Sequence, residues 1–307
     1  MSLETDLLLD RRRLKRRLNL WRGLAVLAAV VAVGVVAARV GGAGGIGPHI
    51  ARVNVHGVIT EDRKLLESVA RLERDRGVRA VIVDIDSPGG SVAGGESLRA
   101  ALIRLAAKKP MVAVMDGTAA SAGYMVALPA ERIFARDATL TGSIGVILQT
   151  GEVSGLLGKL GVTADAITSG PLKDQPSFTR PLTPQGRDYL HALVDDMYDQ
   201  FVTMVADARH MDKARVKELA DGRAYTGRQA LALGLVDQIG GEIEARAWLT
   251  ENRKVPEGTP VRDMKAGGTP LERAFGSMLG GMLDGARGAL GVPSPGAWAI
   301  WRGGSAD

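Results

Sequence analysis

Ser121 stands in the run Gly117-Thr118-Ala119-Ala120-Ser121-Ala122-Gly123, which follows the apolar stretch Met111–Met115 and precedes another apolar segment. A hydroxyl set among such small neighbours can be approached closely, and a serine at a strand-to-helix turn is a candidate nucleophile. Earlier in the chain, Asp86-Ser87-Pro88-Gly89-Gly90-Ser91 also follows a strand-like stretch. Paired glycines there expose backbone N–H groups to an incoming substrate. Gly89, Gly90 and the N–H of Ala122 are therefore candidate oxyanion donors. Each motif alone could be an ordinary strand-to-helix turn. Their occurrence in order, each after a strand, favours the chemical reading.

A serine nucleophile needs a base. No His follows Ser121 until His191, whereas Lys173 follows it in the polar loop Ser169-Gly170-Pro171-Leu172-Lys173-Asp174. The pattern points to a serine hydrolase whose base is lysine. A free lysine has a pKa of about 10.4, so work near neutrality takes about 4 kcal/mol of differential stabilisation. Burial in a closed apolar site supplies it, provided Asp174 points away. A hydroxyl can orient the amine, with Ser143 the first candidate and Ser169 the second. Lys159 is the competing base, but Gly155-Leu156-Leu157-Gly158-Lys159 reads as a solvated helix end.

The elements that must carry these residues follow an α/β pattern. Ile50–Val55 alternates as a strand, Leu65–Leu72 has helical spacing, and Ala80–Ile85 is a β-branched strand. An amphipathic helix over Ser97–Lys108 ends at Pro110, and Met111–Met115 is the next strand. Strands separated by helices imply a largely parallel sheet with right-handed crossovers. Asp188–Arg209 reads as a long helix with Leu190, Leu193, Val194, Met197, Phe201 and Val205 on one stripe.

These motifs resemble the signal peptide peptidase A family, from about Ala51 to Ala247. The resemblance is carried by Asp86–Gly90, Gly117–Tyr124, Thr141–Val146 (Thr-Gly-Ser-Ile-Gly-Val) and Ser169–Asp174. It continues through Gly222–Ala230 and Gly234-Leu235-Val236-Asp237. It implies a crotonase-like (Clp-protease-like) fold with Ser121 as nucleophile and Lys173 as base. It also implies a membrane-anchored enzyme that degrades remnant signal peptides. The first two motifs would also suit the Clp protease subunit, but that family's His has no counterpart in the stretch after Ser121 up to Val146. No cofactor is implied. The substrates implied are apolar peptides, for which Tyr124, Met125 and Ile144 could line a cleft or be ordinary core. The family is oligomeric, so partners of the same chain would be needed to enclose a chamber. Two other readings stand beside this one: an inactive membrane-tethered crotonase-fold scaffold, and an acyl-CoA-handling crotonase enzyme.

Composition narrows the alternatives. The chain of 307 residues has 46% hydrophobic residues and no cysteine. It is a folded protein without disulfides or thiolate zinc sites. Its four His show no metal-ligand spacing. Residues 1–22 hold seven basic and three acidic side chains, a surplus of +4 out of the chain's +5. The remainder is nearly neutral, which argues against nucleic-acid binding. The stretch Gly23–Ala38 lacks a charge and is flanked by Arg22 and Arg39. We read residues 1–22 as a basic cytoplasmic arm and 23–40 as a transmembrane anchor. Residues 41–49 then form a Gly-rich tether and 50–255 the peptidase domain. This predicts a single-pass protein of the inner (cytoplasmic) membrane with its catalytic domain outside the cytoplasm. Residues 256–307 form a Gly-rich tail. Its stripe Leu271, Phe275, Met278, Leu279, Met282 and Leu283 predicts a helix packed on the domain, on a neighbour or on the membrane surface, with Trp298 and Trp301 as interfacial anchors.

Overall fold

Two β-branched runs set the architecture. The computed structural model describes residues 15, 17–29, 31 and 47–264. Strand β1 (His49–His56) and strand β2 (Val78–Ser87) pair in parallel, from His49↔Val78 to His56↔Asp86. Val81, Ile82, Val83 and Ile85 are all buried. A strand apolar on both faces belongs in the middle of a parallel sheet covered on both sides. Strand β3 (Met111–Ala120) continues the parallel pairing on the other edge of β2.

Further along, β3 changes partner. Val112–Met115 pair with β4 (Arg132–Ala135), and Thr118–Ala120 pair with β5 (Leu140–Gly142). The sheet therefore forks halfway along β3. Strand β5 pairs antiparallel with β6 (Ala224–Thr226), and β4 pairs with β7 (Gln238–Ile239). Strand β8 (Val261–Asp263) lies beside β1.

Helices close both faces. On one face, helix α1 (Arg63–Leu72), helix α2 (Val92–Ala106) and helix α3 (Ala122–Ala127) pack over Val81, Val83, Ile85, Ala113 and Met115. The Asp62 carboxylate caps α1 by accepting from the N–H groups of Lys64 and Leu65, and the Ser91 hydroxyl caps α2 at Gly94. After a short exposed helix, α4 (Ser154–Lys159), comes the long α5 (Pro184–Arg209), opened by the Thr183 cap with proline in the first turn. Helix α6 (Lys213–Leu219) and helix α7 (Gly227–Ala232) follow. Helix α8 (Glu242–Arg253) covers the other face, where Ile82, Val112, Val114 and Phe134 meet Ala245 and Leu249.

The expected α/β fold and its parallel sheet are present, with longer elements. Helix α2 starts at Val92 rather than Ser97, and α5 at Pro184 rather than Asp188. Tyr124, Met125 and Ile144 are 0%, 3% and 0% exposed, so they are core and do not line a cleft.

Gly47–Lys265 form one compact unit, and the N-terminal residues belong to another. Residues 17–29 are helical, with Trp21, Leu24, Val26 and Leu27 exposed. Among the described residues no helix is long and apolar enough to cross a membrane. The rest of the expected anchor, most of the tether and the tail stripe Leu271–Leu283 with Trp298 and Trp301 lie outside the described residues.

Candidate active site

Ser121 sits where β3 turns into α3, with φ 53° and ψ −120°. That region strongly favours glycine, and a serine held in it carries strain of about 1–3 kcal/mol. Among the described residues four non-glycines have positive φ: Ser121, Ser143, His210 and Lys254. His210 and Lys254 are left-handed C-caps of α5 and α8, an ordinary use of the conformation. The other two serines have no such excuse, and they are neighbours. Ala120 pairs with Gly142, and the Ser121 N–H donates to the Gly142 carbonyl at 2.9 Å. Ser143 follows directly on the adjacent strand, its N–H bonded to the Arg223 carbonyl at 2.9 Å. The strained serines are thus set side by side by the register of β3 and β5.

The turn is held from several directions. The Thr141 hydroxyl donates to the Ala119 carbonyl at 2.8 Å. The N–H of Met125 returns to the Ser121 carbonyl at 3.0 Å, starting α3. A sharp strand-to-helix turn that carries a serine at positive φ is the geometry of a nucleophile elbow.

The glycine pair lies against this turn. Gly89 has φ +115°, and a methyl added there would come 2.9 Å from the Ser121 Cβ and 3.3 Å from the Ala122 N. Only glycine permits that approach. Gly90 forms a parallel bridge with Ile59, in which the Ile59 N–H donates to the Gly89 carbonyl at 2.8 Å and the Ser91 N–H to the Ile59 carbonyl at 2.9 Å. That pattern uses the amides on either side of Gly90 and leaves its own N–H outside the bridge. The Gly89 N–H lies 3.2 Å from the Ser87 hydroxyl, its acceptor. The Ala122 N–H opens a helix, where no intrahelical acceptor exists. Of the three expected oxyanion donors, Gly90 and Ala122 thus remain the better suited, while Gly89 supplies the close approach.

None of the residues around the expected base belongs to the Ser121 turn. Lys173 is exposed and lines an open depression of about 510 Å³ with Ser169, Gly170, Pro171, Leu172, Gln175 and Tyr189. Ser169 is thereby gathered with Lys173, and Ser143 with Ser121. Asp174 pairs with Arg180, whose hydrogen bond holds its carboxyl below the usual carboxylate range. Among the described residues Lys173 has no carboxylate at ion-pairing distance. Lys159, the competing base, ends α4 and is exposed, in a helix with no buried residue.

One feature was hidden from sequence reasoning. Tyr124, one turn beyond Ser121, is fully buried, and its hydroxyl donates to the Leu235 carbonyl at 2.8 Å. Burial pushes its phenol pKa up. The partner segment, Gly234-Leu235-Val236-Asp237, was legible as a motif but not as a contact of α3.

Residues 103–256 match the model of Peptidase family S49. A Synechocystis sp. chain named as a protease is 44% identical over 200 residues, which span 65% of this chain and 72% of that one. An Enterococcus faecium protein named as a signal peptide peptidase is 36% identical over 228 residues, covering 69% of this chain and 66% of that one. Protease 4 of Salmonella typhi is 39% identical over 184 residues, 60% of this chain but 30% of that protein.

Proposed function

This chain belongs to peptidase family S49, and from that premise we propose that it is a serine endopeptidase in which Ser121 attacks the scissile carbonyl and Lys173 takes its proton. The observation that carries this reading is the strained Ser121 turn, with Gly89 packed against it; the reading takes the N–H groups of Gly90 and Ala122 as the oxyanion donors. Attack forms the bond from Ser121 Oγ to the substrate carbon and places negative charge on the carbonyl oxygen. The two N–H groups stabilise that charge. The neutral amine of Lys173 accepts the hydroxyl proton and then gives it to the leaving amine. On this reading Ser143, in register beside Ser121, orients the amine, with Ser169 the alternative on the lysine's own loop.

The exposure of Lys173 bears on assembly. A lysine acting as base near neutrality must be withdrawn from water. Withdrawal in this chain takes a further surface, and a neighbouring copy supplies one. The segment carrying Lys173 also exposes Leu156, Leu160, Ile167 and Phe178, apolar side chains that a neighbour would cover. We therefore take the active form to be a homo-oligomer enclosing its sites.

The substrates we infer are apolar peptides, remnant signal peptides among them, which the name of the Enterococcus faecium relative supports. The basic arm and the exposed apolar side chains of residues 17–29 support a single-pass anchor in the inner membrane, with the domain on the far side.

One labelling experiment tests these statements together. A fluorophosphonate probe should modify the full chain at Ser121, located by peptide mapping. Labelling elsewhere, or none, removes the serine mechanism. A membrane-impermeant version should label spheroplasts of an expressing bacterium equally well. Labelling only after lysis reverses the topology. Sedimentation of the labelled protein should show a closed oligomer, and a labelled monomer would remove the enclosure argument.

A further inference from the structure

The motif Gly234-Leu235-Val236-Asp237 has no part in the proposed chemistry, yet it touches the helix that begins at the nucleophile. The contact is the 2.8 Å hydrogen bond from the Tyr124 hydroxyl to the Leu235 carbonyl. Both residues are fully buried.

The acceptor is itself held by a network. The Arg209 guanidinium, near the end of α5, reaches the Asp237 carboxylate by two hydrogen bonds, 3.1 Å from Nη1 and 2.6 Å from Nη2. Its Nε donates to the Gly234 carbonyl at 2.9 Å. Asp237 also accepts the N–H of Ile133, on β4, at 2.8 Å, and the Asp237 N–H donates to the Ile133 carbonyl at 2.9 Å. Residues 234–237 are thus tied at both ends, to α5 by the arginine fork and to β4 by a pair of bonds. A bidentate arginine–carboxylate pair fixes orientation as well as distance. The Arg209 side chain is 11% exposed and that of Asp237 26%, so the guanidinium is largely shielded from water.

The helix it secures is short and starts under strain. Helix α3 has six residues, all buried, and Ser121 precedes it without a side-chain cap. Nothing in the local sequence preference favours a serine at φ 53°. The conformation persists because its surroundings impose it. Two of those constraints, the Gly142 carbonyl and the close Gly89, act on the strand side of the turn. The Tyr124 hydroxyl acts on the helix side.

We propose that Tyr124 is a positioning residue for Ser121, and that the 234–237 segment with Arg209 serves as its anchor. The proposal rests on the reading of Ser121 as nucleophile. Tyr124 touches no substrate. It fixes the rotation of α3, and with it the direction of the serine hydroxyl and the Ala122 N–H.

Tyr124→Phe in the full chain tests this, because it removes one oxygen and keeps the buried ring. The expected result is a fall in kcat of about tenfold with KM within about twofold, within the range that a small misplacement of a reacting group can cost. Amide hydrogen exchange should rise within residues 122–128 and stay unchanged in β2. Arg209→Lys, which keeps the charge and loses the fork, should reproduce both effects in weaker form. A kcat equal to wild type overturns the proposal, whatever the exchange shows. So does a lowered kcat accompanied by a uniform rise in exchange, which marks general destabilisation. If the wild-type chain neither cleaves peptides nor takes the probe, the nucleophile reading falls separately, and the location of the exchange change alone decides whether Tyr124 anchors α3.

Discussion

Ser121→Ala should leave a folded protein with no measurable peptide cleavage and no fluorophosphonate label. The loss follows from chemistry, since alanine has no atom to form the acyl intermediate. Removing a catalytic serine costs on the order of 10⁶ in kcat in a well-studied serine protease, and residual activity over water then comes from oxyanion donors and binding alone. The Gly90 and Ala122 amides survive the substitution, so substrate affinity should change little. The measurement is kcat and KM on an apolar peptide, with thermal unfolding as the control for folding. Wild-type turnover by the purified variant would remove Ser121 as nucleophile and return the turn to a structural role.

Lys173→Ala should be as inactive as the serine variant, and Lys173→Arg should not restore it. Arginine matches lysine in charge and approximate reach but stays protonated, so it cannot accept the serine proton. The pair of variants separates a base from a mere positive charge. An active arginine variant would show that the charge alone suffices and would end the dyad. Because the proposed base must be neutral to accept a proton, wild-type kcat/KM should be lower in acid than in alkali. A profile flat from the acid to the alkaline side of neutrality would argue against lysine. The chain in isolation leaves Lys173 exposed on an open loop. The profile should therefore be recorded at protein concentrations where the oligomer persists, and it should shift if dilution dissociates it.

The long elements were legible because their signals are local. Ala80–Ile85 is apolar throughout, and a strand buried on both faces needs nothing more to declare itself. The strands missed are short: β4 has four residues, β5, β6 and β8 have three each and β7 has two. No periodicity develops over so few positions, and their pairing is decided by partners far along the chain. Gly117–Ala120 read as part of a small-residue turn but is the second half of β3. Ala119 and Ala120 are buried, and a methyl on Gly89 would come 3.1 Å from the Ala120 carbonyl oxygen, so small side chains there go with close packing rather than a break in the strand. The early start of α2 was masked by Gly94 and Gly95, residues that weaken a helical pattern. Gly95 is needed for contact with α3, since a methyl there would lie 3.0 Å from the Ala122 Cβ.

The site divides in the same way. Ser121, Gly89, Gly90 and Ala122 were readable as motif members, and the fold gathers them. The adjacency of Ser143 to Ser121 could not be read, because it depends on the register Ala120↔Gly142, between residues 22 positions apart in sequence. The Arg209–Asp237 fork was invisible for a similar reason: its partners sit 28 positions apart in sequence.

The left-handed backbone at residue 121 sets heredity against heat. Glycine would relieve the strain at φ 53° at no steric cost, while serine, on the proposed reading, keeps it for the sake of one oxygen. A library randomised at position 121 and selected only for survival of the fold at rising temperature should drift toward glycine. The same library selected for growth that depends on peptide cleavage should return serine alone. Sequencing the two pools would show whether fold stability and peptide cleavage select different residues at this one codon.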